Sequence, residues 1–421
     1  MNAKVEINQI FRLPVFLMLL KRTPTLFETS AKTGYAPNMT QPRAAIISLE
    51  ETPWYHVVSR CVRRAFLCGH DPLTGASYEH RRAWIEARIL SLSSVFAIDI
   101  AAYAVMSNHY HVVLRVDSSR THAWTTEQIL TRWTQLFAGP TSVQRYLSED
   151  RVRMSAAEMA QIEELTEIYR ARLHDVSWFM RVLNESIARQ ANQEDGVKGR
   201  FWEGRFRSQA LLDEQALLAA MVYVDLNPIR AGIADNLERS EYTSIARRIR
   251  NVTAREDAEK CPRDRKAKTA PAPPLRTLKT PPSPSLGGIG STKDHASENN
   301  KLQPERSLKN IPQASLMFFE ESDDFEQSIP FSLEEYLELG ETLGRCVHPM
   351  KRGLIPDTSP RLLVRLGMEP QQFLRHADHV LKTFGPAIGT PETLSALALR
   401  RKHRRMRGIS MARQIFEKHA A

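Results

Sequence analysis

Residues 101–116, Ala-Ala-Tyr-Ala-Val-Met-Ser-Asn-His-Tyr-His-Val-Val-Leu-Arg-Val, constrain the fold of this chain more than any other stretch. From His109 onward apolar and polar side chains alternate, which is the pattern of a strand with one buried face. Side chains at i and i+2 of a strand point the same way. His109 and His111 therefore share one face, and Tyr110, Val112 and Leu114 take the other. Two imidazoles side by side are able to hold one metal ion. An isolated His-x-His also fits a pair of surface histidines on an edge strand, and the surrounding sequence has to decide.

Residues 54–62, Trp-Tyr-His-Val-Val-Ser-Arg-Cys-Val, alternate with β-branched side chains and read as the first strand, with His56 and Arg60 on one face. A core-adjacent strand histidine is the simplest account of His56; an extra metal ligand or a DNA contact is the alternative. Apolar spacing near 3.6 predicts a helix over 79–93. The strand pair around 96–116 follows, with Ser107-Asn108 as its turn. Strand, helix, strand, strand is an α+β opening. Residues 127–195 are mostly helical in pattern, with a break at Gly139-Pro140 and an amphipathic helix near 176–192. In Gly199–Ser208, Arg200, Arg205 and Arg207 are interleaved with Phe201, Trp202 and Phe206. Guanidinium groups that track phosphates beside rings that stack on unpaired bases suit a single-stranded nucleic acid. A strand with a buried aromatic face and solvated arginines fits the same residues.

A helix is expected from about Asp213 to Asn227, with acidic residues at its N-terminus. Leu217, Met221 and Val224 form its core stripe. Ala216, Ala219, Ala220, Tyr223 and Asn227 form a second stripe, on which small alanines leave Tyr223 room to reach over open space toward the sheet. Pro228 either ends this helix at Asn227 or lets Asn227 cap the next one.

With 421 residues and 42% apolar content, the chain is long enough for two or three domains. A formal net charge of +10 points to a polyanionic partner, with nucleic acid the first candidate and an anionic membrane surface the second. The four cysteines are scattered, with no Cys-x-x-Cys pair, which suits a reducing cytoplasm. The apolar run Phe11–Leu20 is too short to span a bilayer and carries Arg12 and Pro14. Residues 1–45 read as a disordered N-terminal extension, with Met39 opening the sequence that soon turns strand-like. The main domain is expected over 46–250. Residues 251–310 contain no Phe, Trp or Tyr and are rich in Pro, Lys, Arg and Ser, so they read as a flexible linker. Helical periodicity returns beyond them, and Ser332 with Glu335 gives a capping-box signature for a helix over 333–346. A smaller helical domain is expected over 311–421. Its tail, Arg400–Arg407, places positive charge on about two helical turns and reads as a phosphate-contacting patch, or as a solvated basic tail.

Three motifs in order, Tyr55-His-Val-Val-Ser-Arg60, Val105-Met-Ser-Asn-His-Tyr-His-Val-Val-Leu114 and Tyr223-Val-Asp-Leu-Asn-Pro-Ile-Arg-Ala-Gly232, resemble the single-tyrosine HUH transposases, and within them the REP-associated tyrosine transposases of bacteria. The resemblance covers roughly residues 50–245. It implies a ferredoxin- or RRM-like antiparallel sheet with packed helices, and an enzyme that cuts and rejoins single-stranded DNA next to hairpins. It also implies that His109 and His111 are paired metal ligands, Tyr223 the nucleophile, and Asn227 the side chain that completes the metal site. The helical insertion and the C-terminal segment depart from the family pattern.

The chemistry asks for these residue types. A tyrosine conserves a phosphodiester bond as a 5′-phosphotyrosine while a 3′-hydroxyl leaves. A phenol is a weak nucleophile at neutral pH, and a divalent ion assists by polarising the phosphate. Two neutral imidazoles and an amide oxygen leave positions open for phosphate and water, compatible with Mg²⁺ or Mn²⁺. Imidazole favours manganese, and cellular abundance favours magnesium. Expected DNA contacts are Arg60, Arg200, Trp202, Arg205 and Arg207. The expected partner is single-stranded DNA with REP-like hairpins, bound by a monomer or homodimer in the cytoplasm, at the nucleoid, with no membrane. Two alternatives stand: a domesticated, non-catalytic binder of repetitive palindromes, and an unrelated metal-dependent hydrolase built as a barrel.

Overall fold

The computed structural model describes residues 46–62, 67–72, 74–260, 310–320, 325, 327–347 and 360–417. The expected N-terminal extension and the linker from 261 to 309 lie outside these residues.

Five strands form one sheet in the order β2-β3-β1-β4-β5. They are β1 (Trp54–Arg60), β2 (Ile98–Val105), β3 (His109–Val116), β4 (Arg207–Leu211) and β5 (Ala387–Ile388). The first four pair antiparallel throughout. The expected all-antiparallel sheet fails at β5, which runs parallel to β4. This strand comes from the C-terminal segment and closes an open edge: Ala210 N–H donates to Pro386 O and Leu212 N–H to Ile388 O, both at 2.9 Å. An unpaired edge would otherwise leave those groups unsatisfied. A barrel of parallel strands is overturned by this sheet.

Register decides which side chains meet. His109 lies opposite Arg60, His111 opposite Val58, Val58 opposite Arg207, and His56 opposite Gln209. Directly opposed residues share a face. One face therefore carries His56, Arg60, His109, His111, Arg207 and Gln209. The other carries Tyr55, Val57, Tyr110, Val112 and Leu114. Helices α1 (His80–Val95) and α6 (Val176–Glu194) cover this second face. The Tyr110 hydroxyl donates to Asn184 Oδ1 at 2.8 Å, and Phe96 meets Phe179 edge to face at 5.5 Å.

Between β3 and β4 the expected helical insertion is present as α2 (Ser118–Ala123), α3 (Thr126–Thr134), α4 (Thr141–Tyr146), α5 (Ala156–Leu173) and α6. The break before α4 falls at Gly139, whose φ of +68° few side chains tolerate. Thr125 with Gln128 and Ser155 with Glu158 close capping boxes on α3 and α5.

The histidine face is covered by α7 (Glu214–Asp225). Residues 216–224 of this helix are all apolar or small, more than the sheet alone can cover, and every residue from Ala216 to Asp225 is buried. The additional cover comes from the C-terminal segment, with α10 (Leu333–Val347), α11 (Arg361–Arg365), α12 (Pro370–His376), α13 (Val380–Thr383), α14 (Pro391–Arg400) and α15 (Ile409–Ile415). The expectation of a separate small domain over 311–421 is corrected here, because all described residues fall in one compact unit. Two carboxylates make the connection. At the start of α7, Asp213 accepts Ala216 N–H at 2.9 Å, Thr390 N–H at 2.7 Å and the Thr393 hydroxyl at 2.6 Å. At its end, buried Asp225 accepts the Ser244 hydroxyl at 2.5 Å, Ile245 N–H at 3.1 Å and the Tyr336 hydroxyl at 2.6 Å. Gly389 follows from the first junction: a Cβ there would stand 2.3 Å from Thr393 Oγ1 and 3.1 Å from the Leu212 side chain.

Two other boundaries differ from expectation. The helix α9 (Ser244–Lys260) runs past residue 250 into the expected linker. The basic tail is not helical: α14 ends at Arg400, and Lys402 has a φ of +55°. Arg401 forms a two-pronged ion pair with Glu51, and Arg407 donates to Lys382 O at 3.2 Å. Among the described residues no helix is long and apolar enough to cross a membrane.

Removing the Tyr336 hydroxyl leaves a buried carboxylate one donor short. Tyr336→Phe is expected to lower unfolding free energy by about 1–3 kcal/mol in urea titrations. A loss below about 0.5 kcal/mol contradicts the role given to this junction.

Candidate functional site

The turn at Ser107-Asn108 delivers His109 and His111 to the face under α7, as strand alternation requires. Their rings lie 4.8 Å apart between centroids and nearly perpendicular, at 77°. Tyr223 projects from α7 to the same place, its ring edge-on to His111 at 5.8 Å and to His56 at 6.4 Å. Strand and helix thus bring together the two histidines and the tyrosine that sequence patterning singled out. Tyr223 is 5% exposed, so the open space expected around it is filled. Arg230, from the short helix α8 (Asn227–Arg230), stacks its guanidinium over the phenol ring at 4.0 Å. Pro228 does not end the helical path: α8 begins at Asn227, directly after Leu226 closes α7.

His56 is buried in contact with the pair, its ring nearly parallel to that of His111 with centroids 5.1 Å apart. Its Nε2 faces His111 Nδ1 at 2.9 Å and its Nδ1 faces Gln209 Oε1 at 3.1 Å. His109 Nδ1 faces Asn108 Oδ1 at 2.6 Å. His111 Nε2 is buried and has no hydrogen-bond partner.

Burial pushes His56 and His109 down to about 4 and holds His111 well below the usual imidazole range. After burial, the Arg60, Arg230 and Lys382 charges lower His109 further, and Arg230 and Lys382 act on His111 along with the neighbouring histidines. All three imidazoles are neutral at pH 7, the form that binds metal.

No family model and no curated protein matches this chain. Among solved structures, a REP-associated tyrosine transposase bound to a REP hairpin is similar to it at 13% identity and a TM-score of 0.28, over 48% of this chain and 82% of that one. At that distance the side chains themselves have to carry any assignment.

The donor set fits a divalent ion in one respect and not in another. Two neutral imidazoles, one with a buried nitrogen lacking any partner, suit a metal that takes its remaining ligands from phosphate and water. The third expected ligand is engaged elsewhere: Asn227 Oδ1 accepts Arg230 Nη2 at 2.6 Å, and Asn227 Nδ2 is buried without a partner. Among the described residues no group of three His, Cys, Asp or Glu side chains is arranged to hold a metal.

The residues expected to contact DNA divide between the faces. Arg60 and Arg207 are exposed on the histidine face. Arg205 is exposed in the preceding loop, where Arg200 donates to the carbonyls of Trp202 and Glu203. Trp202 stands apart from the site. Its indole N–H donates to Asn184 O at 2.9 Å and its ring meets Tyr110 edge to face at 5.8 Å, so it packs against the opposite face of the sheet. Its signal, an aromatic beside arginines, is equally that of a partly buried ring. Three site residues escaped sequence reasoning. Arg230 lies seven residues after Tyr223, a helical spacing that offered a clue; Gln209 and Lys382 carry no local signal, and Lys382 arrives from α13.

The unfolded chain binds a proton at His56 near pH 6.5, and the folded protein does so only near 4. Stability is therefore complete above about pH 6.5 and falls as pH drops toward 4. In metal-free protein this histidine costs up to about 3 kcal/mol across that window. Urea titrations at pH 7 and pH 4.5 should show the drop, reduced in His56→Gln. An identical pH profile in the variant contradicts the assignment.

Proposed function

We propose that the chain is a metal-dependent DNA transposase that cleaves and rejoins single-stranded DNA next to hairpins through a 5′-phosphotyrosine. The observation that carries this reading is the meeting of a neutral imidazole pair with Tyr223 among cations: Arg230 over the phenol, Lys382 acting on both histidines and Arg60 on His109. Cationic surroundings with neutral metal-binding groups suit a phosphodiester, which supplies the missing negative charge. The strand order β4-β1-β3-β2 is that of the ferredoxin-like split βαβ arrangement, and supports the same reading.

In this account the Tyr223 oxygen attacks phosphorus, the bond to the 3′-oxygen breaks, and the phenolic proton balances the 3′-hydroxyl released. The new ester keeps the bond energy, so a 3′-hydroxyl of another strand can reverse the step. Arg230 places a positive charge beside the reacting phenol, and Arg60 and Lys382 steer the phosphate. His109 and His111 would hold Mg²⁺ or Mn²⁺, with Asn227 as a third ligand once its Oδ1 is released by Arg230. When bound, the ion polarises the phosphate and stabilises the leaving oxygen. Arg207 and Arg205 extend the cationic track along the strand. A non-catalytic DNA binder is the second reading, favoured by one observation, the capture of Asn227 Oδ1 by Arg230.

Incubation with labelled single-stranded hairpin oligonucleotides and Mn²⁺ or Mg²⁺, followed by a denaturing gel, tests the proposal. A covalent protein–DNA band is expected, lost with chelator and lost in Tyr223→Phe. Binding with no adduct under either metal supports the non-catalytic reading, and an adduct that survives in Tyr223→Phe assigns the nucleophile to another residue.

A further inference from the structure

The orphaned nitrogen of His111 stands at the end of a chain of hydrogen bonds whose direction is dictated from its far end. Gln209 Nε2 lies 3.1 Å from Leu381 O and 2.9 Å from Gly385 O. Two carbonyls can be met only by the NH₂ side of the amide, since the opposite orientation would set oxygen against oxygen. The amide oxygen is therefore the atom that faces His56 Nδ1 at 3.1 Å. An amide oxygen only accepts, so Nδ1 of His56 carries hydrogen and its Nε2 is left with a lone pair. That lone pair faces His111 Nδ1 at 2.9 Å, which places hydrogen on His111 Nδ1 as well. Nε2 of His111 is then the lone pair, buried and without a partner.

We propose that Gln209 and His56 are positioning residues that hold His111 in its Nδ1–H tautomer, so that Nε2 is presented as a metal-binding lone pair. Asn108 does the same for its neighbour directly, its Oδ1 taking the hydrogen of His109 Nδ1 at 2.6 Å. Each histidine of the pair thus has a carboxamide behind it, one in contact and one relayed through a third imidazole. An imidazole whose second nitrogen is held in this way keeps both tautomer and ring orientation, and removing such a partner costs roughly 10- to 100-fold in metal affinity. The anchor of the relay belongs to the C-terminal segment: Leu381 lies in α13, and Gly385 lies in the turn that leads to β5. The segment that closes the sheet edge therefore also sets the protonation pattern of a histidine on β3.

The use of the lone pair rests on the metal-dependent reading above, whereas the tautomer does not, and the experiment separates them. Long-range ¹H–¹⁵N correlation spectra of full-length, metal-free protein with ¹⁵N-labelled histidine read the tautomer of each ring at pH 7. His111 is expected as Nδ1–H alone, and Gln209→Met is expected to convert His56 and His111 to mixtures of tautomers. The same samples titrated with manganese chloride should bind roughly 10- to 100-fold more weakly in the variant. His111 found as Nε2–H in the wild-type protein overturns the relay, as does an unchanged tautomer in a folded Gln209→Met. The expected tautomers without manganese binding at His109 and His111 uphold the relay and sink the metal-dependent reading instead.

Discussion

Two aspartates, Asp213 half-buried and Asp225 buried, hold the helix that carries Tyr223, and the site depends on them. Asp213 ties the first turn of α7 to the start of α14, and Asp225 ties its last turn to α9 and α10. Burial raises the pKa of both carboxyls, with hydrogen bonds from their partners working in the opposite direction. Such groups tolerate burial only while every donor is in place. Tyr223 lies two residues from Asp225, so the junction at this helix end positions the phenol. The C-terminal segment supplies donors at both junctions, adds β5 to the sheet and anchors Gln209. It is structural scaffolding for the site.

The electrostatics of the site lean one way. Arg230 and Lys382 act on both histidines and Arg60 on His109, and burial already keeps the pair neutral. A divalent cation entering alone would meet those charges, whereas a phosphodiester brings the opposing charge with it. Metal and nucleic acid are therefore expected to bind as linked partners, each raising the affinity for the other. The bond between Arg230 and Asn227 belongs to the same picture, since a guanidinium that turns to phosphate frees the amide oxygen.

Much of this was legible in the sequence where the signal was local. Period-two alternation placed His109 and His111 on one face because strand geometry allows nothing else, and helical spacing placed Tyr223 with Asn227. The start of α7 was marked by its acidic residues, whereas Pro228 falls inside α8 rather than ending the path. What could not be read was set by distant pairing. Gln209 faces His56 only through the β1–β4 register, and Lys382 reaches the site only because β5 docks beside β4. The relay through His56 was hidden for the same reason, and His56 read as an ordinary core histidine. Trp202 was ambiguous for a different reason. An aromatic among arginines has the same sequence whether the ring meets a base or, as here, the side of Tyr110 away from the histidines. The basic tail followed composition correctly to the surface, but its helix ended at Arg400 and Arg401 turned to Glu51.

Crystals of the full chain soaked with manganese and a single-stranded oligonucleotide, measured at the manganese absorption edge, test the central claim most directly. The account predicts one anomalous peak bound by Nε2 of both His109 and His111, with a DNA phosphate oxygen on the ion and the Tyr223 hydroxyl beside the same phosphate. Manganese bound elsewhere, or DNA seated with its phosphates away from Tyr223, would contradict it.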